Sequence, residues 1–253
     1  MWQDVKLLNA ISNLLLGLVA VAASVSAVLW LIHRPFFALN TIHVEGMQKQ
    51  ELRHVSQLGI RDQALPKIRG NFFTANLDQV RAAFESVPWV RKASVQRVWP
   101  DQLLVSVEEY QAFGTWGEDG RLLSSQGDVF VANLAEAEED TSLMSLTGPE
   151  GSEREVLQQY QLFKTWFARI GLVPEAVHYS NRYAWRVQLN NGLVVELGRA
   201  EEADSLQKRV EQLIRVYPQL LNRLQGSIVN IDLRYPNGLA LKAGKGSFGF
   251  EKK

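Results

Sequence analysis

The chain of 253 residues contains no cysteine, which excludes thiol nucleophiles, disulfide bridges and thiolate metal sites while leaving its redox compartment open. It lacks net charge as well: 27 basic residues balance 27 acidic ones, so no global field draws it to nucleic acid or to an anionic surface. Histidine is scarce. His33, His43, His54 and His178 stand far apart, without the i, i+4 or HxE spacing that brings metal ligands onto one helical face, so no metal site is expected. No serine occupies a GxSxG elbow. Gly244-Lys245-Gly246-Ser247 holds part of a phosphate-loop signature but lacks the preceding glycine and a following helix, so residues 244–253 are read as a flexible tail and no cofactor is expected.

Charge is also missing from residues 7–32, a stretch of Leu, Val, Ala and Ile long enough to cross a hydrocarbon core of roughly 30 Å. This predicts one transmembrane helix, with Trp2 and Trp30 at opposite interfaces. The alternative is a cleaved signal peptide with Val25-Ser26-Ala27 as its small-residue site, but the apolar run continues through Ile32. Lys6 on one side is matched by Arg34 on the other, so charge counting leaves the orientation undecided.

What remains is globular in composition, and its periodicity changes along the chain. Residues 39–46 alternate, with Ile42 and Val44 on one face, as a half-buried strand should. Leu52, Val55 and Leu58 recur at threes and predict a helix over 49–58 ended by Gly59. Asn76 is a candidate N-cap for a second helix carrying Leu77, Val80, Ala83 and Phe84 inward and stopped by Pro88. Strands over 90–98 and 102–108 follow, joined by the turn Trp99-Pro100-Asp101. The order is β-α-α-β-β.

Beyond Ala112, short strands are expected at 114–116, 121–123 and 129–131, with Gly114, Gly117 and Gly120 relieving backbone strain among the turns. The acidic run 136–140 and Gly148-Pro149-Glu150-Gly151 read as an exposed loop. A helix is predicted over 153–170, a hairpin over 185–197 turning at Asn190-Asn191-Gly192, a helix over 201–224, and final strands at 227–235 and 239–242 around Pro236-Asn237-Gly238. In the first of these last strands Val229, Ile231 and Leu233 are expected inward, and Asn230, Asp232 and Arg234 outward.

A wall-cleaving enzyme would need only two suitably separated carboxylates. Glu108-Glu109 sits at a strand end with side chains on opposite faces, and Glu201-Glu202 is placed to meet the positive end of a helix. Neither pair suggests catalysis, and no catalytic residue is expected.

Several motifs together carry a family likeness. Val44-Glu45-Gly46, Pro88-Trp89-Val90, Ala93-Ser94-Val95 and Arg97-Val98-Trp99-Pro100 resemble the POTRA domain of the FtsQ and DivIB division proteins. Residues 103–108, 112–116 and 125–130 are similar to the passage into that family's β domain, and Leu197-Gly198-Arg199, Tyr217-Pro218 and Ile231-Asp232-Leu233-Arg234-Tyr235 follow in its order. The resemblance implies an α+β chain with a single N-terminal transmembrane helix, a POTRA domain and a mainly antiparallel β domain with two helices. Its expected bounds are 1–35 for the cytoplasmic tail and span, 36–110 for the POTRA domain, 111–243 for the β domain and 244–253 for the tail.

It further implies a non-enzymatic inner-membrane scaffold at the division septum, with a cytoplasmic N-terminus and a periplasmic bulk. The implied partners are FtsB and FtsL, with other divisome proteins meeting the POTRA and transmembrane regions. Carried over by position, the FtsB contact falls on Arg199, Arg234 and Tyr235, with Asn237 and Gly238 in the following turn. A terminal strand at a sheet edge would accept a partner strand, with Arg234 offered to a partner carboxylate. Two alternatives stand beside this reading. A POTRA-containing assembly factor of another envelope system predicts tandem repeats or a membrane barrel, yet the 88–108 pattern has no second copy. A membrane-anchored peptidoglycan hydrolase predicts turnover that depends on one carboxylate.

Overall fold

The computed structural model describes residues 5–32, 37–140, 142–202, 205–223, 228–235 and 238–243. It divides into two compact units, Met1–Glu109 and Tyr110–Lys253.

The first unit opens with α1 (Val5–Ile32), whose segment Leu8–Trp30 has a mean hydropathy of 2.1 and is long and apolar enough to cross a membrane. One hydroxyl in this helix, that of Ser24, donates to the Ala20 carbonyl at 2.8 Å, so its hydrogen bond is met within the helix itself. Trp2 and the linker residues 33–36 lie outside the described residues.

β1 (Thr41–Gly46), α2 (Gln57–Gly59), α3 (Leu77–Glu85), β2 (Val90–Val98) and β3 (Gln102–Glu109) follow, in the order expected of a POTRA domain. The sheet order is β1-β3-β2: β2 and β3 form the predicted hairpin, and β1 returns parallel to β3 with Ile42 opposite Leu103 and Val44 opposite Val105. Asn76 caps α3, its Oδ1 accepting from the backbone N–H groups of Asp78 and Gln79. Val80, Ala83 and Phe84 of α3 pack on Leu103, Val105 and Val107 of β3 to make the core of this domain.

The first POTRA helix does not lie where three-residue spacing put it. Ser56 caps the backbone N–H of Gly59, and the helical path then continues through Ile60–Ala64 and Leu65–Lys67, so Gly59 is inside it and Leu58 is exposed. The cause is a contact from far along the chain. The Glu109 carboxylate accepts the backbone N–H groups of Arg53, His54 and Val55 at 2.9, 2.9 and 2.7 Å, which holds these residues in a loop. Glu109→Ala is expected to destabilise this domain by about 2 kcal/mol, since three charge-assisted bonds are lost while water reaches part of the vacated loop. Urea unfolding of Glu109→Ala beside Glu109→Gln, which keeps one acceptor, checks this.

The second unit is a nine-stranded sheet in the order β12-β11-β10-β9-β8-β7-β4-β5-β6. Its strands are β4 (Ala112–Trp116), β5 (Arg121–Ser124), β6 (Val129–Phe130), β7 (Met144–Thr147), β8 (Pro174–Tyr179), β9 (Ala184–Leu189), β10 (Val194–Arg199), β11 (Ile228–Asp232) and β12 (Ala240–Ala243). Antiparallel pairs predominate, but β4–β7, β7–β8 and β10–β11 are parallel. α5 (Glu153–Phe167) and α6 (Ser205–Arg223) lie against each other and the sheet, and Tyr160, Phe163 and Phe167 of α5 join Val210 and Leu213 of α6 in one core. Burial raises the pKa of the Tyr160 hydroxyl, which donates to the Pro174 carbonyl at 3.3 Å. The Asn-Gly turn forms as predicted, with Gly192 at φ 79° and Asn191 donating to the Tyr217 hydroxyl.

Three expectations for this unit are corrected. The acidic run belongs to a third, short helix, α4 (Leu134–Asp140), at whose start the Asn133 side chain accepts from the Ala135 N–H. Strands β7 and β8, which no alternation announced, fill the middle of the sheet. Val229 points outward and is 42% exposed, while Ile228 is buried, because the pairing of β11 with β12 shifts register between Ile228 and Asn230.

Candidate functional site

The sheet ends at β12, which pairs only with β11 among the described residues. Among the described residues the sheet thus has edges at β12 and, at its far end, β6, and β11, which carries Arg234 at its end, is enclosed between β10 and β12. An edge strand presents a row of backbone donors and acceptors that another strand can take up. Ala240 and Lys242 are exposed, whereas Leu241 packs toward the core.

Beside this edge, the ends of β10 and β11 carry the predicted residues. β10 shifts register against β9 between Glu196 and Gly198, and Gly198 has φ 76°, a conformation in which an L side chain is strained. The glycine also leaves room: a Cβ there would lie 2.9 Å from Cγ of Arg234, so the stem of that arginine lies over Gly198. Arg209 of α6 then ties down the strand end, its Nη1 donating to the carbonyls of Leu197 and Arg199 at 2.8 and 2.6 Å. The ladder between β10 and β11 runs on past Asp232 through a bond from the Leu233 N–H to the Glu196 carbonyl at 2.8 Å.

Arg199, Arg234 and Tyr235 are all exposed, Tyr235 at 58%. Arg234 is not a vacant fork, however. Its Nε donates to both oxygens of Asp232 at 2.9 and 3.0 Å and its Nη2 to Oδ2, so an internal carboxylate already orients the guanidinium. These hydrogen bonds from Arg234 hold the Asp232 carboxyl below the ordinary carboxylate range. Of the turn residues, Asn237 lies outside the described residues, and a Cβ on Gly238 would meet nothing within 4 Å. Sequence reasoning assigned no role to Gly198, Arg209 or Asp232. Gly198 stood inside a quoted motif, whereas nothing marked Arg209 out from the other charges of an amphipathic helix.

The candidate carboxylate pairs are occupied elsewhere. Glu108 pairs with Arg91 at 2.9 Å, Glu109 holds the loop at 53–55, and Glu201 and Glu202 lie 3.7 and 3.8 Å from Arg209 and Lys208. In the first unit, a cavity of about 750 Å³ lies between β1 and the first helical segment, lined by Ile42, Val44, Leu52, Val55, Ile60 and Ile68.

Among the described residues, one N-terminal helix long and apolar enough to cross a membrane, a β-α-α-β-β domain with β1 parallel to β3, and an open-edged mixed sheet define a POTRA-bearing protein. Comparison with known proteins agrees. The family model described as POTRA domain, FtsQ-type, matches residues 37–110, and that described as Cell division protein FtsQ/DivIB, C-terminal, matches residues 114–234. A cell division protein FtsQ of Burkholderia pseudomallei (strain K96243) is 44% identical, covering 96% of this chain and 94% of that protein. Those of Bordetella pertussis and Nitrosospira multiformis are 38% and 35% identical, covering 95% and 96% of this chain and 92% and 99% of their own lengths. The chain belongs to the FtsQ/DivIB family of cell-division proteins.

Proposed function

We propose that this protein is a non-enzymatic scaffold of the division apparatus, recruited to the septum, which joins partners through the edge of its second domain. α1 anchors it in the inner membrane, with a short cytoplasmic N-terminus and both folded units in the periplasm. The partner at the edge is the periplasmic part of FtsB, accompanied by FtsL. Other division proteins meet the POTRA domain and the span.

The observation that supports this most is the open β12 edge with Arg199, Arg234 and Tyr235 exposed beside it. A segment of FtsB adds as a tenth strand, Tyr235 supplies a rigid aromatic anchor, and Arg199 and Arg234 receive acidic side chains. Because Asp232 already holds one side of the Arg234 fork, the remaining guanidinium N–H groups are those offered outward, and little rotamer freedom is lost on binding. Gly238 lies at the end of the added strand, and Asn237, outside the described residues, is assigned to the same contact by its place in the sequence.

The test is binding of the full chain in lipid nanodiscs to the periplasmic segment of FtsB. Arg234→Glu and Tyr235→Ala, each checked for unchanged thermal unfolding, are expected to weaken it by at least about 30-fold, the scale of a hot-spot residue. Undiminished binding by both folded variants would move the site away from this edge.

A further inference from the structure

Four aromatic rings of the first unit, Phe37, Phe73, Trp99 and the buried Phe72, stand against one another. Phe37 lies 4.9 Å from Phe73 and 5.9 Å from Trp99, and Phe72 lies 5.2 Å from Phe73 and 5.6 Å from Trp99, between ring centres. Phe73 is 44% exposed, Trp99 65% and the adjoining Val98 38%, an apolar surface that the domain's own fold does not cover.

The patch is held rigidly. Arg97 donates from Nε to the Phe72 carbonyl and from Nη2 to the Ala75 carbonyl, both at 2.7 Å. The Asn71 Oδ1 accepts the backbone N–H groups of Phe73 and Thr74, and the Phe72 N–H donates to the Phe37 carbonyl at 2.9 Å. Asn40 closes the remaining side with a bond to the Asp101 carboxylate at 2.8 Å. Three segments distant in sequence are thus tied together.

The covalent chain says what lies beside them. Phe37 is five residues beyond Ile32, the last residue of α1, and five residues span at most about 18 Å. A bilayer's polar layer adds roughly 5 to 8 Å beyond the hydrocarbon on each side, so the rings cannot leave the neighbourhood of the surface through which α1 emerges. Aromatic side chains favour this headgroup layer, and a tether this short makes insertion intramolecular, so even a weak preference is populated.

We propose that Phe37, Phe73 and Trp99 insert into the headgroup layer of the bilayer that α1 spans, docking the POTRA domain on lipid as a second, peripheral membrane contact. The surface is then an orientation device: it fixes which face of the domain looks away from the membrane.

Because the chain has no cysteine, one introduced thiol is a unique label site. The full chain with Val98→Cys, carrying a nitroxide, is placed in phosphatidylethanolamine and phosphatidylglycerol vesicles at low protein-to-lipid ratio. Its collisions with oxygen and with a water-soluble nickel complex are compared with those of Val131→Cys, a site 72% exposed in the second unit. The label at 98 is expected to meet oxygen severalfold more, relative to nickel, than the label at 131. Phe73→Ser with Trp99→Ser should return it to the value at 131. Equal, aqueous values at the two sites overturn the proposal, and so does shielding from both reagents, which would mean that protein covers the patch.

Discussion

Gly114→Ala is expected to destabilise the second domain by about 3 kcal/mol or more, the upper range for forcing an extra methyl into a packed interior. A Cβ at this position would lie 2.2 Å from the Met144 carbonyl oxygen and 3.1 Å from its carbonyl carbon. Both are backbone atoms, so no rotamer change relieves the collision. Gly114 stands opposite Met144 in the parallel pair of β4 and β7, and among the described residues this pair alone joins β4, β5 and β6 to the other six strands. The methyl therefore acts as a wedge in the middle of the sheet. Urea unfolding followed by tryptophan fluorescence, to which Trp116, 1% exposed beside the wedge, contributes with Trp166 and Trp185 of the same domain, measures the cost. Gly117→Ala is the control: it carries the strain of φ 72° but meets only the tip of Arg121 at 3.6 Å, and should cost about 1 kcal/mol. Equal costs for the two would refute the wedge.

The second large effect is on the candidate site. Gly198→Val places a branched side chain at φ 76° and pushes its Cβ to 2.9 Å from Cγ of Arg234, so the arginine must leave its position over the strand. Binding to the FtsB segment is expected to fall about as far as in Arg234→Glu, roughly 30-fold, although neither the charge nor the open edge has been altered. The Asp232 carboxyl supplies an independent readout. Its pKa is depressed in the folded protein by Arg234, so its contribution to stability is complete above the ordinary carboxylate range and is lost as pH falls through the lowered folded value. In Gly198→Val, carboxyl NMR should show Asp232 titrating closer to its ordinary value, with the acid-side loss of stability reduced accordingly. If Asp232 keeps its depressed titration, Arg234 has not been displaced.

Local chemistry made much of the first domain legible. Alternation and a Pro turn announce β2 and β3, and the Asn76 side chain fulfils the capping role that its position ahead of an apolar face suggests. The misplaced helix shows the limit. Leu52, Val55 and Leu58 carry a helical spacing, but the loop is decided by a carboxylate more than fifty residues away, at Glu109. In the second domain β7 and β8 escaped notice because four- and six-residue strands in parallel pairs, one beginning with a proline, show no clean alternation. The site divides the same way. Arg199, Arg234 and Tyr235 were reachable through family motifs, while the internal pairing of Arg234 with Asp232 and the tie from Arg209 depend on a strand irregularity and a helix placement that spacing does not encode.

The strand order also has a temporal reading. From β8 outward through β9, β10 and β11 to β12, each strand joins the sheet in the order in which a ribosome makes it. The β12 rim is consequently the last of these strands to be laid down, and a chain interrupted before residue 240 has no such rim. Under the strand addition proposed above, a strand from another protein continues the same succession, so assembly becomes a report that synthesis has reached β12.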